Sequence, residues 1–372
     1  FAPLVNIIAI PWVSMVSVPS VLLGCLLLPL SVDAAEGLWQ ISDWSIGVLW
    51  KLLAILPSDY GFAISPAGTS QLTLLAALLA GLSLMLPQRR LEKWLGVLPL
   101  VLLLAAGRTS PGLRVTVLDV GQGLAVVVET KTHTLLYDSG AQYSQAFSAG
   151  SGIIAPFFWH RGWSAIDMTA ISHEDGDHSG GFGSLKQVLQ SRRLMTGPAV
   201  AYPQTVLAGQ NAEICRAGMQ WRWDDVVFEV LAPRADEQVG NTGNNSSCVV
   251  QIRWRDISIL LPGDIETAAE YQLLDSERLS AAPIDLLLAP HHGSKTSSSH
   301  AFVRHLMPKH VVFSAGYQHQ FGHPHDVVTT RYSNIGSILW NTAQQGAVSF
   351  QWSPSGQLKI SAARLDAKRW WR

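Results

Sequence analysis

The sequence predicts a mixed α/β domain over residues 108–372, two sheets packed face to face between outer helices in an αββα sandwich, preceded over residues 1–107 by transmembrane or interfacial helices. Three observations predict it. Composition changes near Arg108: four basic and five acidic residues stand among long runs of Leu, Val, Ile and Ala before it, whereas from Arg108 on there are 22 basic and 22 acidic residues. Short β-branched runs then alternate with helix-like segments and turn residues. Finally, His and Asp residues gather at the ends of the expected strands.

A bilayer span takes roughly 20 apolar residues. Residues 13–32 (VSMVSVPSVLLGCLLLPLSV) are uncharged and long enough, although Pro19 and Pro29 are expected to kink or end the helix. Residues 69–87 (TSQLTLLAALLAGLSLMLP) form the cleanest span, and residues 95–107 (LGVLPLVLLLAAG) are short and interrupted by Pro99. Residues 44–56 (WSIGVLWKLLAIL), with Lys51 and two Trp, read as an interfacial helix. Buried core helices give such runs too, but three in succession favour a membrane. Short cytoplasmic loops collect Lys and Arg. The connector at 88–93 (QRRLEK) is therefore expected in the cytoplasm, and one further crossing by 95–107 would deliver the domain after Arg108 to the extracytoplasmic side of an inner membrane. The chain opens on Phe1 inside an apolar run, without an initiator Met or a cleavable leader, and reads as part of a longer protein.

Beyond Arg108, residues 114–119 (RVTVLD), 124–129 (LAVVVE) and 134–138 (TLLYD) are expected to form a meander, separated by VGQG and TKTH. Residues 166–172 (IDMTAIS) read as a buried strand, followed by a Gly-rich turn and a helix over 181–189. Strands are expected at 226–231, 248–254, 257–261, 284–289 and 310–314, with helices at 265–277, 297–306 and 324–332. Cys215 and Cys248 each stand beside an expected strand. In an oxidising compartment they are expected to bridge, and two buried free thiols are the alternative. Cys25 reads as a small packed or lipid-facing residue.

The chemistry concentrates at strand ends. In ISHEDGDHSGG, the strand at 166–172 runs directly into His173, Asp175, Asp177 and His178. Four nitrogen or carboxylate ligands within six residues can converge on one or two cations without help from distant chain. A solvated acidic loop with two stray histidines is the alternative, and the buried strand before it and the Gly180–Gly181 pair after it argue against that. LLPGDIE places Asp264 just past a strand, where a carboxylate can bridge two cations. APHHGS places His291 and His292 past another, and FGHPHD places His323 and His325 on a turn that opens a helix. An isolated His is more often a satisfied structural residue, and His310 and His319 are read that way.

In order, DVGQG (119–123), LLYDSG (135–140), SHEDGDHSGG (172–181), NNSSCVV (244–250), LLPGDIE (260–266) and APHHGS (289–294) resemble the metallo-β-lactamase domain of the ComEC family of competence proteins. Residues 2–24 resemble the end of that family's membrane competence domain. The resemblance covers the whole soluble part, while the family's N-terminal soluble domain and most of its channel helices are missing. It implies a metal-dependent DNA phosphodiester hydrolase of natural transformation, tethered to an inner-membrane DNA-uptake channel, that degrades the strand not imported. Its implied partners are DNA, the membrane, the remainder of the channel and the uptake machinery.

The resemblance also implies ligands for two divalent cations: His173 and Asp175 on one, Asp177 and His178 on the second, Asp264 between them, and His291 completing a site. The superfamily's usual pattern is His-x-His-x-Asp-His, and Asp175 occupies the second His place. An oxygen ligand there shifts preference from Zn²⁺ toward Mn²⁺ or Mg²⁺, with Mn²⁺ favoured. A further His is usual before Asp264, where this chain has NNSSC, so one cation is expected to bind weakly or to arrive with substrate. Asp177 is the implied partner of the attacking water, with His292 or His323 near the leaving oxygen and His323 the better candidate as acid or oxyanion stabiliser. Asp119, Gln122 and Gly123 either shape the pocket floor or simply form a tight turn capped by Asp119.

A dedicated duplex binder usually carries a basic excess, whereas the charge from Arg108 on is balanced, which argues against that class. Arg192, Arg193, Arg253 and Arg255 form local clusters. Trp221, Trp223, Trp254, Trp352, Trp370 and Trp371 are candidates for stacking on bases, although scattered Trp residues more often serve a core, and the terminal AKRWWR suits lipid or DNA. Two other readings stay open. A small ester, lactone or thioester hydrolase on the same fold would need a deep apolar pocket, and a non-catalytic DNA-guiding scaffold would keep only vestigial metals.

Overall fold

The computed structural model describes residues 2–54, 112–207, 210–234, 243–276, 278–279 and 283–367, with isolated helical positions between 76 and 101. The spans expected at 69–87 and 95–107 fall, but for those positions, outside the described residues, as do the connector at 88–93, the boundary at 107/108, and Trp370 and Trp371. The chain forms two compact units, Phe1–Ile64 and Ser65–Arg372.

The first unit is a helical hairpin. Ala2–Trp12, a π turn at Val13–Ser17 and Val18–Leu27 follow one another, and the chain turns back into a 23-residue helix, Val32–Ala54. Pro19 has no N–H to give to the preceding turn, and the wide π turn just ahead of it, closed by Val18 N–H donating to Val13 O, absorbs the missing bond. The helix ends at Leu27, two residues short of Pro29. Ile8–Leu27 is long and apolar enough to cross a bilayer, beginning at Ile8 rather than at the expected Val13. The short interfacial helix expected at 44–56 is instead the second half of Val32–Ala54, whose start is favoured by Asp33 in its first turn. Polar groups face inward between the helices: Trp12 Nε1 donates to Ser45 Oγ at 2.9 Å, Ser17 and Ser45 hydroxyls meet at 3.0 Å, and Ser42 Oγ donates to Ser17 O at 3.2 Å. Met15, Leu22, Leu26, Trp44 and Trp50 face outward. Small polar contacts inside and large apolar side chains outside suit a lipid surrounding.

In the second unit fifteen strands are described: β1 Leu113–Val117, β2 Val126–Glu129, β3 Thr134–Tyr137, β4 Ala165–Ile171, β5 Gln190–Thr196, β6 Ala212–Ile214, β7 Gln220–Trp223, β8 Val226–Ala232, β9 Val249–Trp254, β10 Ile257–Leu261, β11 Leu286–Leu288, β12 His310–Phe313, β13 Ile338–Asn341, β14 Val348–Trp352 and β15 Leu358–Ala362. They make an eight-stranded sheet, β15-β14-β1-β2-β3-β4-β5-β6, and a seven-stranded sheet, β13-β12-β11-β10-β9-β8-β7. The expected meander is antiparallel β1-β2-β3, with Val117 opposite Val126 and Val126 opposite Tyr137.

Because side chains alternate along a strand, each sheet buries both faces. Leu135 and Tyr137 point into the core between the sheets, together with Val115, Phe228, Val250 and Ile252, while Leu136 points to the outer helices. Outside the seven-stranded sheet, Leu273, Phe302, Leu306 and Tyr332 from the helices Thr267–Leu274, His300–Leu306 and Asp326–Ser333 cover Leu260, Leu287 and Val311. Ala155–His160 and Phe182–Val188 cover the other sheet through Phe158 and Leu185. The αββα sandwich is thereby complete. Its consequence for chemistry is that the ends of β3, β4, β10 and β11 deliver their following loops to one place.

Candidate metal centre

Asp138 follows β3 with a positive φ of 60° and is fully buried. Its carboxylate accepts from Ser172 N at 2.6 Å, from Ser172 Oγ at 2.8 Å and from His178 Nδ1 at 2.8 Å. An ionised carboxylate can only accept, so His178 carries its proton on Nδ1 and presents a lone pair at Nε2. With its own proton given to Asp138, Ser172 Oγ accepts from His173 Nδ1 at 3.0 Å. His173 Nε2 is therefore also a bare lone pair, buried and without a hydrogen-bond partner. His292 Nδ1 donates to the carbonyl of Ser314 at 2.8 Å, which fixes its tautomer in the same way.

These lone pairs converge. His178 Nε2 lies 3.1 Å from His292 Nε2, and the two nitrogens lie 3.2 and 3.3 Å from Asp264 Oδ2. Asp177 Oδ2 is 3.3 Å from His292 Nε2. Acceptors facing acceptors repel unless positive charge sits among them. Protonation responds accordingly. Burial opposes charging His178 and His292, but Asp264 outweighs it, with Asp138 helping at His178 and Asp177 at His292. His178 is raised well above its ordinary value and His292 to about 9. Burial likewise opposes ionisation of Asp177 and Asp264, yet His178 and His292 hold both below the usual carboxylate range. The donor set, imidazole nitrogens and carboxylate oxygens with the other imidazole nitrogen already committed, fits divalent cations. Two triads are formed, His173, His178 and Asp264, and Asp177, His178 and His292, with the ligand atoms of each within 4.8 Å of one another.

Close approach at two glycines makes this geometry accessible. A Cβ on Gly123, whose φ is 127°, would lie 2.3 Å from Asp177 O, and one on Gly263, φ 61°, would lie 2.8 Å from Ser247 Cβ. Leu124 N donates to Asp177 O at 3.1 Å, so the 119–123 turn buttresses the ligand loop.

The cluster gathers His173, Asp177, His178 and Asp264 of the expected ligands, together with His292. His291 does not join it. Its Nε2 is 4.0 Å from Asp264, while Nδ1 lies 3.2 Å from Thr296 Oγ1 and 3.4 Å from Glu266 Oε1. His291 and His292 are consecutive residues at φ 49° and 54°, a left-handed pair that turns the rings in different directions at a cost of about 1–2 kcal/mol each. Asp175 is half exposed, and its Oδ2 stands 3.5 Å from His173 Nε2, on the rim. His323 stacks beside His292, ring centroids 6.2 Å apart. Burial, then His292, His291 and His325, lower it to about 4, so it is neutral near pH 7. Asp119 Oδ2 accepts from Arg364 Nη2 at 2.6 Å, and Gln122 Oε1 accepts from Gly316 N at 3.3 Å. Asp138 and Ser172 lie within LLYDSG and SHEDGDHSGG, but no sequence pattern shows that Asp138 reaches His178, 40 residues on, or that Ser314 reaches His292, 22 residues back.

Where a further His is usual, Ser247 Oγ accepts from Asp264 N at 3.1 Å and donates to Asn244 O at 2.7 Å. Cys215 and Cys248 meet in the core between the sheets, Cα atoms 6.0 Å apart, within bridging range. Trp254 and Trp352 are buried, and Trp221 and Trp223 pack against that same core.

The Metallo-beta-lactamase superfamily matches residues 118–316, and the Competence protein family matches residues 1–90. Among curated proteins the chain is similar to Competence protein ComA of Neisseria gonorrhoeae, 32% identical over 380 residues, covering 100% of this chain and 50% of that protein. It is similar also to ComE operon protein 3 of Bacillus subtilis, 25% identical, covering 93% of this chain and 48% of the other. The chain thus spans about half the length of the curated relatives it matches. Among solved structures, CmlA, a diiron beta-hydroxylase from Streptomyces venezuelae, aligns with a TM-score of 0.45 and 12% identity over 73% of this chain and 59% of that one. The chain belongs to the metallo-beta-lactamase superfamily, and ahead of that domain its residues 1–90 are similar to the competence protein family.

Proposed function

We propose that this domain hydrolyses DNA phosphodiesters and, in natural transformation, degrades the strand that is not imported. The observation that carries the hydrolytic part is the convergence of three imidazole lone pairs and two carboxylates at the strand ends. DNA as substrate rests on the competence segment joined to it. His173, His178 and Asp264 would hold one divalent cation and Asp177, His178 and His292 a second, with Mn²⁺ favoured over Zn²⁺ and Mg²⁺ because Asp175 stands where the superfamily has a second His. Such cations neutralise charge on a phosphate and lower the pKa of water.

The side chains supply the rest. Asp177, held ionised, is placed to receive a proton from the attacking water. His323, held neutral and with a buried Nδ1 that has no partner, can donate a hydrogen bond to the leaving oxygen, a stabilising role rather than that of a charged acid. Asp138 and Ser172 fix the tautomers of His178 and His173 and touch no substrate.

We place the domain on the extracytoplasmic side of the inner membrane, carried by the helical unit and joined to the remainder of a DNA-uptake channel. A Cys215–Cys248 bridge suits an oxidising compartment. Incubating the full chain in detergent with single- and double-stranded DNA, in Mn²⁺, Mg²⁺, Zn²⁺ or chelator, tests the reading. Metal-dependent cleavage lost in His178→Ala supports it, and a folded, metal-loaded chain that cleaves neither substrate rejects it.

A further inference from the structure

Among the described residues, the aromatic side chains best placed to meet DNA are not the tryptophans. They are two exposed pairs on loops that flank the metal centre. On one side, Tyr143 and Phe147 are 44% and 47% exposed and stack with centroids 5.7 Å apart. Their loop is closed by Tyr143 N donating to Phe147 O at 3.0 Å, and it rests on the ligand loop, since a Cβ on Gly180 would lie 2.9 Å from Gln142 N. On the other side, Tyr317 and Phe321 are 73% and 54% exposed. Phe321 lies 5.8 Å from the ring of His323, which itself stacks on the cluster residue His292.

The turn at 119–123 joins the two sides. Tyr143 Oη donates to Val120 O and would lie 3.4 Å from a Cβ on Gly121, while the neighbouring Gln122 accepts from Gly316 N, the residue before Tyr317. Both loops are tied to the same short turn, which also buttresses Asp177.

Large apolar rings left in water beside a cation-ligating cluster call for an explanation. The charge balance supplies one. With 22 basic and 22 acidic residues from Arg108 on, the domain lacks the excess that grips a phosphate backbone, whereas stacking needs no net charge and accepts any base. A duplex hides its base faces, so only an unpaired strand can use these rings.

From this we infer that Tyr143–Phe147 and Tyr317–Phe321 form a stacking platform that holds unpaired nucleobases on either side of the metal centre, making single-stranded nucleic acid the preferred substrate class. The inference rests on the nuclease reading for its substrate but not for its test, which reads binding alone. Fluorescence anisotropy with the full chain in detergent and chelator compares labelled oligothymidylate, a base-free abasic strand of equal length and a duplex of equal length. The oligothymidylate is expected to bind roughly ten-fold more tightly than either, with a shallow salt dependence. Tyr317→Ala/Phe321→Ala and Tyr143→Ala/Phe147→Ala should each lose most of that advantage. Because Tyr143 Oη also ties down the 119–123 turn, Tyr143→Phe/Phe147→Ala separates loss of stacking from loss of the turn. Equal binding of oligothymidylate and abasic strand, or tighter binding of the duplex, overturns the platform. Oligothymidylate affinity unchanged in both aromatic double variants does so as well. If stacking is found and cleavage is not, the platform stands and the nuclease reading falls.

Discussion

Asp138 Oδ2 accepts from His178 Nδ1 at 2.8 Å with both side chains fully buried, and this one contact decides which nitrogen of His178 faces the centre. The same carboxylate holds Ser172 by backbone and side chain, so it sets the tautomers of two histidines of the cluster. Asp138→Asn should therefore lower metal affinity about 10–100-fold with the fold retained, whereas Asp138→Ala should also lose about 1–3 kcal/mol of stability through the unpaired Ser172 N–H. Metal titration by calorimetry and a thermal melt separate the two.

His291 and His292 should differ sharply. His292→Ala removes a lone pair from the centre and is expected to weaken metal binding by at least the roughly 10–100-fold loss typical of an outer partner. His291→Ala breaks contacts to Thr296 and Glu266 and should change metal affinity by about three-fold or less. Similar losses in both, measured by competition with a chromophoric chelator, would restore the ligand assignment expected from the sequence.

Stability without metal should depend on pH in a stated direction. His292 is raised from its ordinary value to about 9 by Asp264 and Asp177, against burial. A raised histidine stabilises the folded chain fully below its unfolded pKa, and that contribution is lost as pH rises through the folded value. The metal-free chain should thus lose stability between about pH 6.5 and 9, by up to about 3 kcal/mol. Metal displaces the protons, so the loaded chain should show no such fall and binding near pH 7 should release protons. Melting curves across that range, with and without Mn²⁺, test this.

Gly123→Ala should be severe although it changes no ligand. A Cβ there meets Asp177 O at 2.3 Å and the residue has φ 127°. Loss of about 3 kcal/mol is expected, with metal affinity falling in step, read by denaturant titration and calorimetry.

Reductant should destabilise the hydrolase unit if Cys215 and Cys248 are joined. Their separation of 33 residues gives a loop whose closure is worth about 4 kcal/mol. Alkylation without reductant should label the exposed Cys25 alone, and labelling at all three cysteines in the folded chain would refute the bridge.

How much of this was legible in sequence depends on how local the signal was. The meander β1-β2-β3 was, because Val115, Leu135 and Tyr137 alternate with residues on the opposite face. The strands Gln190–Thr196, Gln220–Trp223 and Leu358–Ala362 were not, since they carry Arg192, Arg193, Arg222 and Lys359 on partly exposed faces that blur the period. Val32–Ala54 appeared shorter because Asp33, Glu36 and Asp43 interrupt its apolar run. The gathering of His173, Asp177 and His178 was legible as a run of His and Asp at one strand end. That His292 rather than His291 would reach the cluster was not, because two consecutive left-handed residues set the directions of their rings.

The central claim is tested most directly by cleavage of single-stranded DNA by the full chain with Mn²⁺, beside His178→Ala and Asp264→Asn variants whose folding is confirmed by their melting curves. Turnover is expected that chelator abolishes and that falls at least about 100-fold in both variants. Cleavage that survives chelator and both substitutions, or none at all from a folded chain shown to hold Mn²⁺, would contradict it.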